Sequence, residues 1–243
     1  MTREKLNLRS HLAGIVVLLF LSACGVETKV VPDSLSSSKQ IHKLYKQKAK
    51  LTKPKTLVKQ PVLLLRDSPR VRVAINYFSG TGKSYIEDGL TRKQEYASMI
   101  ENEFKALDLP DELSNIALLE SRYLPRARSP SGAVGMWQFM APTARSLGLR
   151  VGYFTDERKD PEKSTRAAAQ YLKNLYQEHG DWFLAIAAYN AGSGNVNKAI
   201  KRCGTKDFFE FEKCSGLRNE TLDFVSRFVA LTAITRRQKY YGD

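Results

Sequence analysis

The chain has 243 residues, 42% of them hydrophobic, with 39 Lys or Arg against 25 Asp or Glu and a formal net charge of +14. Such a basic balance suits nucleic acid or an anionic surface. The three histidines, His11, His42 and His179, are scattered and the cysteines lack His partners at zinc spacing, so neither a metal centre nor histidine catalysis is expected. In chain order, the first nine residues carry Arg3, Lys5 and Arg9, and an apolar run over 12–21 follows. That run is too short to span a bilayer and matches an export signal. The run ends in Leu21-Ser-Ala-Cys24, which reads as a lipobox. Residues 1–23 are then a signal peptide and Cys24 becomes a lipidated N-terminus anchoring the chain to a membrane; a plain secretory signal or an uncleaved anchor is the alternative. Gly25, in place of a retention Asp, points to the outer membrane, on its periplasmic face.

Residues 25–66 hold ten Lys or Arg against Glu27 and Asp33, a local net charge of +8. With the stretch Ser34-Leu-Ser-Ser-Ser38, the segment 24–66 reads as a lipidated start and a basic flexible tether. An exported chain does not meet the genome, so no nucleic acid partner is expected. Anionic envelope polymers, lipid headgroups or plain solvation remain open for the tether.

Residues 67–243 suffice for one domain with its own core. Their periodicity predicts helices over 91–107, 111–123, 141–147, 163–179, 181–190, 194–202 and 221–239, an all-α arrangement. Asp160-Pro161 supplies a cap and first-turn proline for the 163–179 helix. No internal repeat appears. Gly80-Thr-Gly-Lys-Ser84 resembles the end of a P-loop, but Tyr77 stands where the first glycine is required, so no nucleotide is expected.

One carboxylate stands out. Leu113, Ile116 and Ala117 precede Glu120 by seven, four and three residues, placing Glu120 on an apolar helical face. A carboxyl held against apolar side chains resists ionisation and can protonate a leaving group. A buried Glu neutralised by Arg122 or Arg126 is the structural alternative. A Pro- and Gly-punctuated loop follows, carrying Ser129, Gly132, Gly135, Trp137 and Gln138, and Ala188-Tyr-Asn-Ala-Gly192 lies further on.

These three blocks, in this order and spacing, resemble the lysozyme-like lytic transglycosylases of the soluble type, and most closely the membrane-bound D-type catalytic domain. The resemblance spans about residues 70–240. It implies a lysozyme-like, goose-type helical domain acting on peptidoglycan glycan strands as a monomer, with no cofactor. It makes Glu120 the general acid and then the base, with Ser129, Gln138, Tyr189 and Asn190 lining the saccharide cleft. Gln138 offers both donor and acceptor to acetamido groups, and Tyr189 a ring face and a hydroxyl. Gly132 and Gly135 allow close backbone approach, or simply form turns. Trp137 is either a cleft residue or a core anchor. Relatives commonly carry C-terminal LysM-type modules that this sequence lacks, so membrane tethering is expected to keep enzyme near substrate.

Ordinary glycosidases use two carboxylates, yet none lies between Glu120 and Asp156, and Asp111 and Glu112 fall in the first turn, where they serve the cap and dipole. A single carboxylate implies help from the substrate. The acetamido group stabilises the anomeric carbon and the C6 hydroxyl attacks, giving 1,6-anhydromuramyl ends. Lysozyme-type hydrolysis and a catalytically idle wall-binding lipoprotein are the competing functions. Cys203 and Cys214 are expected to form a disulfide after export. Phe224 stands where the family often has Tyr, so one cleft hydroxyl is lost, unless Phe224 is simply core.

Overall fold

The computed structural model describes residues 66–214 and 216–241, with side chains through residue 236. The signal, Cys24 and nearly all of the tether lie outside the described residues. Those described fall in one compact unit, Val58–Asp243.

Ser68 opens the first helix, α1 (Pro69–Ser79): its hydroxyl accepts from the Val71 N–H and Pro69 occupies the first turn. After a short turn through Gly80 and Gly82, α2 runs from Lys83 to Ala106. The expected 91–107 helix thus starts eight residues earlier, and α1 is an addition. α2 passes straight through Gly89, where a Cβ would stand 2.1 Å from Leu118 Cδ1. The glycine serves close helix packing.

A 3-10 turn, Asp111–Ser114, leads into α3 (Asn115–Ser121), in place of one continuous 111–123 helix. Asp111 and Glu112 do lie in the first turn of that 3-10 segment, but no side chain caps it, and Glu112 pairs with Arg236 at 2.6 Å. The long loop that follows makes only isolated bridges, Arg128 with Val134 and Val134 with Phe139. Then come α4 (Ala141–Ser146), a 3-10 turn Glu157–Lys159, and α5 (Pro161–His179). Asp160 caps α5 by accepting the Lys163 N–H at 3.0 Å, and Gly180 ends it at φ +74°.

The helix α6 (Trp182–Ala191) is apolar on every side, which marks a central core helix. It packs against α5, α7 (Ser193–Cys203) and α8 (Asn219–Tyr241). A 3-10 segment, Phe208–Lys213, joins α7 to α8, and a disulfide links Cys203 to Cys214 with Cα atoms 5.4 Å apart. α1 lies along α8, and α3 is held between α2 and α8. No strand occurs among the described residues. Leu113, Ile116, Ala117 and Leu118 are wholly buried, so the carboxylate two residues after Leu118 emerges from the densest part of the core.

Candidate active site

Glu120 sits in the last turn of α3, where the backbone turns sharply: Arg122 and Tyr123 both have positive φ, 55° and 59°. Two consecutive left-handed residues without glycine need strong anchoring. Tyr123 supplies it, wholly buried, with its hydroxyl donating to the Ser114 carbonyl at 2.8 Å. Ser121 ties the same turn to the following loop by donating to the Met136 carbonyl at 2.8 Å and accepting from the Leu124 N–H. The carboxyl therefore sits on a braced turn.

Neither proposed arginine neutralises Glu120. Arg122 reaches Asp88 at 3.9 Å and lies over the Tyr85 ring, while Arg126 is exposed. Glu120 makes no hydrogen bond or ion pair with a described residue. Part of its surface meets solvent, yet protein surrounds most of it. Burial first, and the charge of Glu220 second, push its pKa up from 4.5 to about 8. Near neutral pH this carboxyl holds its proton.

Glu220, in the first turn of α8, escapes any local reading of the chain, because it lies a hundred residues after Glu120. The stretch from Glu120 to Asp156 does lack another acid, but folding brings Glu220 into electrostatic range. Tyr85, from α2, is the second residue that sequence reasoning missed. Burial raises its pKa, and the charges of Arg122 and Glu120 act on it in opposite directions. Its hydroxyl donates to the carbonyls of Leu118 (3.1 Å) and Leu119 (2.8 Å), the residues just before the acid. Neither role has a short-range pattern by which to find it.

Of the four residues expected to line the cleft, Tyr189 stands nearest in effect. Its phenol is buried and its pKa raised by desolvation, then by the charge of Glu120. Its hydroxyl donates to the Trp137 carbonyl at 2.7 Å, and its ring packs on Phe139 and Tyr171. Asn190 follows at the end of α6 and accepts from the Thr221 hydroxyl at 2.8 Å. A cavity of about 540 Å³ opens here, lined in part by Asn190, Thr221 and Glu220, the carboxylate whose charge acts on Glu120; Glu120 itself is not in its wall.

Ser129 and Gln138 organise the loop. Ser129 Oγ accepts from the Ala133 N–H at 3.0 Å, and the Gln138 amide donates to the carbonyls of Gly135 (2.8 Å) and Ala127 (3.3 Å). Gln138 itself has φ +50°. Trp137 is the core anchor: fully buried, it donates from Nε1 to Thr165 at 2.9 Å. Gly135 needs its missing side chain, since a Cβ would fall 1.9 Å from the Arg158 carbonyl at φ +91°. Gly132 has φ +89° with open space around it, so there glycine serves the turn. Arg158, buried and paired with Asp156 at 2.8 Å, donates to the carbonyls of Gly132 and Phe139 and so pins both ends of the loop. Phe224 is partly buried and packs on the core.

Comparisons with known proteins bear on this geometry. Residues 98–211 match the family described as Transglycosylase SLT domain. Membrane-bound lytic murein transglycosylase D of Escherichia coli (strain K12) is 36% identical over 165 residues, covering 66% of this chain and 36% of that protein. Peptidoglycan transglycosylase gp16 of Escherichia phage T7 is 41% identical over 101 residues, 40% of this chain and 8% of the phage protein. The chain thus spans about a third or less of these relatives. The crystal structure of the 70 kDa soluble lytic transglycosylase of Escherichia coli superposes with a TM-score of 0.53 at 24% identity, covering 70% of this chain and 30% of that one. That likeness bears out the all-α, lysozyme-like fold.

Proposed function

We propose, because residues 98–211 are a transglycosylase SLT domain, that this chain is a peptidoglycan lytic transglycosylase cleaving the β-1,4 bond between N-acetylmuramyl and N-acetylglucosaminyl units. The observation that carries the reading is a buried carboxyl at the end of α3, without a cationic partner and held protonated at neutral pH by burial. Glu120 gives its proton to the glycosidic oxygen as the bond to the anomeric carbon breaks, and the acetamido oxygen of the same sugar stabilises that carbon. The carboxylate so formed takes the proton from the C6 hydroxyl, whose oxygen bonds to the anomeric carbon. The proton returns to Glu120, no water is consumed, and a 1,6-anhydro ring results. An internal nucleophile gains effective molarities on the order of 10⁵ M or more when well oriented.

Around that step, Tyr189 and Asn190 present the wall of the cleft nearest the acid. Ser129 and Gln138 hold the opposite loop at the left-handed turn it requires, with side-chain oxygens available to acetamido and hydroxyl groups. Burial, with the charge of Glu220 second to it, keeps Glu120 protonated. The lipobox at Cys24 and the names of the membrane-bound relatives support a membrane-tethered enzyme, which we place on the periplasmic face of the outer membrane and read as a monomer.

Mass spectrometry of muropeptides released by the full chain tests this reading. Anhydromuramyl ends are expected; reducing ends would identify a hydrolase, and no release would identify a binding protein. Glu120→Gln keeps the shape and removes the transferable proton. It is expected to lose roughly 10²- to 10⁴-fold in rate, as loss of a general acid does.

A further inference from the structure

Between α4 and the 3-10 turn at Glu157 the chain makes a hairpin turn whose tip carries two bare aromatic rings. Tyr153 and Phe154 are each 95% exposed, whereas the next most exposed large hydrophobic among the described residues, Val73, is at 70%. The two rings stand edge to face with centroids 4.9 Å apart. Single apolar side chains on a surface need no partner, but a contiguous pair held out in water marks a contact.

Main-chain bonds hold the pair out. The Gly152 N–H donates to the Thr155 carbonyl at 2.7 Å, Val151 bridges to Asp156, and the Glu157 N–H donates to the Arg150 carbonyl at 2.9 Å. Arg145 braces the near side by donating twice to the Val151 carbonyl, at 3.0 and 3.2 Å. The carboxylates at the base are already neutralised: Asp156 pairs with Arg158, and Glu157 with Arg150 and Lys163. Arg145 and Lys159 are exposed and form no ion pair with a described residue. The tip is therefore apolar at its end and cationic around its base.

That combination fits the boundary of an anionic lipid bilayer, where aromatic rings sit at headgroup level or just below and Lys and Arg meet the phosphates. A saccharide is gripped in a concave cleft, whereas rings this exposed stand on a protrusion. The chain ahead of the domain points to the same surface, since residues 25–66 carry a local net charge of +8 behind the lipobox at Cys24. A tether of that length keeps the domain close to lipid without orienting it. We infer that the Tyr153–Phe154 tip inserts into the anionic lipid surface to which the chain is tethered, and so sets the domain's orientation on it. The inference rests on the membrane-tethered reading above. Arg158 carries the orientation to the cleft, because it pairs with Asp156 at the tip's base and donates to the carbonyls of Gly132 and Phe139 in the active-site loop.

The test places a reporter on the tip of the full chain with Phe154→Trp and a control on α1 with Tyr77→Trp, both in vesicles of phosphatidylethanolamine and phosphatidylglycerol. Trp137 and Trp182 are buried and give a constant background. Lipids brominated along their acyl chains are expected to quench the Phe154→Trp reporter and not the control. Adding Tyr153→Ser to the reporter chain should lower the docked-to-free ratio about tenfold or more, as loss of one buried aromatic ring does. Lys159→Gln should lower it about fivefold, and added salt or replacement of phosphatidylglycerol by phosphatidylcholine should lower it too. Tyr153→Ser with Phe154→Ser is expected to leave cleavage of soluble glycan fragments unchanged. Docking is overturned if the tip is quenched no more than the control, if glycan strands and not lipid shield the reporter, or if the tip instead joins two copies, seen as a dimer that Tyr153→Ser dissolves. Mass spectrometry of Cys24 separates the two readings: an acylated chain with an unquenched tip keeps the tether and removes the docking, whereas quenching by added vesicles without any acyl group removes the tether and keeps the docking.

Discussion

At Glu120 the fold withholds what a surface carboxylate receives: water on all sides, a cationic partner, a donated hydrogen bond. The consequence appears in two pH profiles. The folded pKa of about 8 lies above the ordinary 4.5. Between those values the native state keeps a proton the unfolded chain has released, so this residue lowers stability progressively as pH rises through that window. Glu120→Gln is therefore expected to match the parent in calorimetry near pH 4. Near pH 9 it should be more stable by roughly 1–3 kcal/mol, after allowing for partial exposure. Glycan cleavage has the same origin: it should decline above about pH 8, where the acid form disappears. The apolar stripe before Glu120 made its raised pKa legible from sequence, because that shift comes mainly from local burial. Glu220 was not legible, since a contribution from another helix leaves no trace in neighbouring residues.

The loop from Ser129 to Phe139 is governed by backbone constraints. Gly135 meets the Arg158 carbonyl where any Cβ would collide, and it is left-handed as well. Gly135→Ala is expected to cost about 2–3 kcal/mol in thermal unfolding, from strain and displacement together. Cleavage should suffer more than stability, because Gln138 and Trp137 follow directly. Arg158→Leu removes two carbonyl contacts and strands Asp156. Breaking such a buried pair costs about 3–5 kcal/mol, and a fall in Tm on the order of 10 °C measured by circular dichroism checks it. Helices α5, α6 and α7 could be read to within two residues: Asp160 and Pro161 mark the start of α5, and Gly180, Gly192 and Gly204 stand just past the three ends. The 111–123 segment was misread, since periodicity is blind to the left-handed residues at 122 and 123. The start of α2 was placed eight residues late, since no side-chain cap marks it and Gly82 stands at the capping position.

Across the whole molecule, long-range ties fix what the helices alone leave loose. The Cys203–Cys214 bridge closes a short loop between α7 and the approach to α8, and constraining a loop of that length contributes about 2–3 kcal/mol. Cys203→Ser with Cys214→Ser is expected to lower Tm by roughly 5–10 °C, as is reductant on the parent. The all-α class followed from periodicity, whereas the joining of α1 to α8 and of Arg236 to Glu112 did not. The first contact links the two ends of the domain and the second spans 124 residues, distances over which no spacing rule applies.

Around the acid, two phenols have already committed their one hydrogen: Tyr85 to the main chain of α3, and Tyr189 to the carbonyl of Trp137. Each can still accept a hydrogen from a sugar, but neither can donate one without breaking a bond that shapes the site. Of these three side chains, only the carboxylic acid has a hydrogen to release to a departing alcohol. The stiffness of the scaffold thus reserves the proton for a single route.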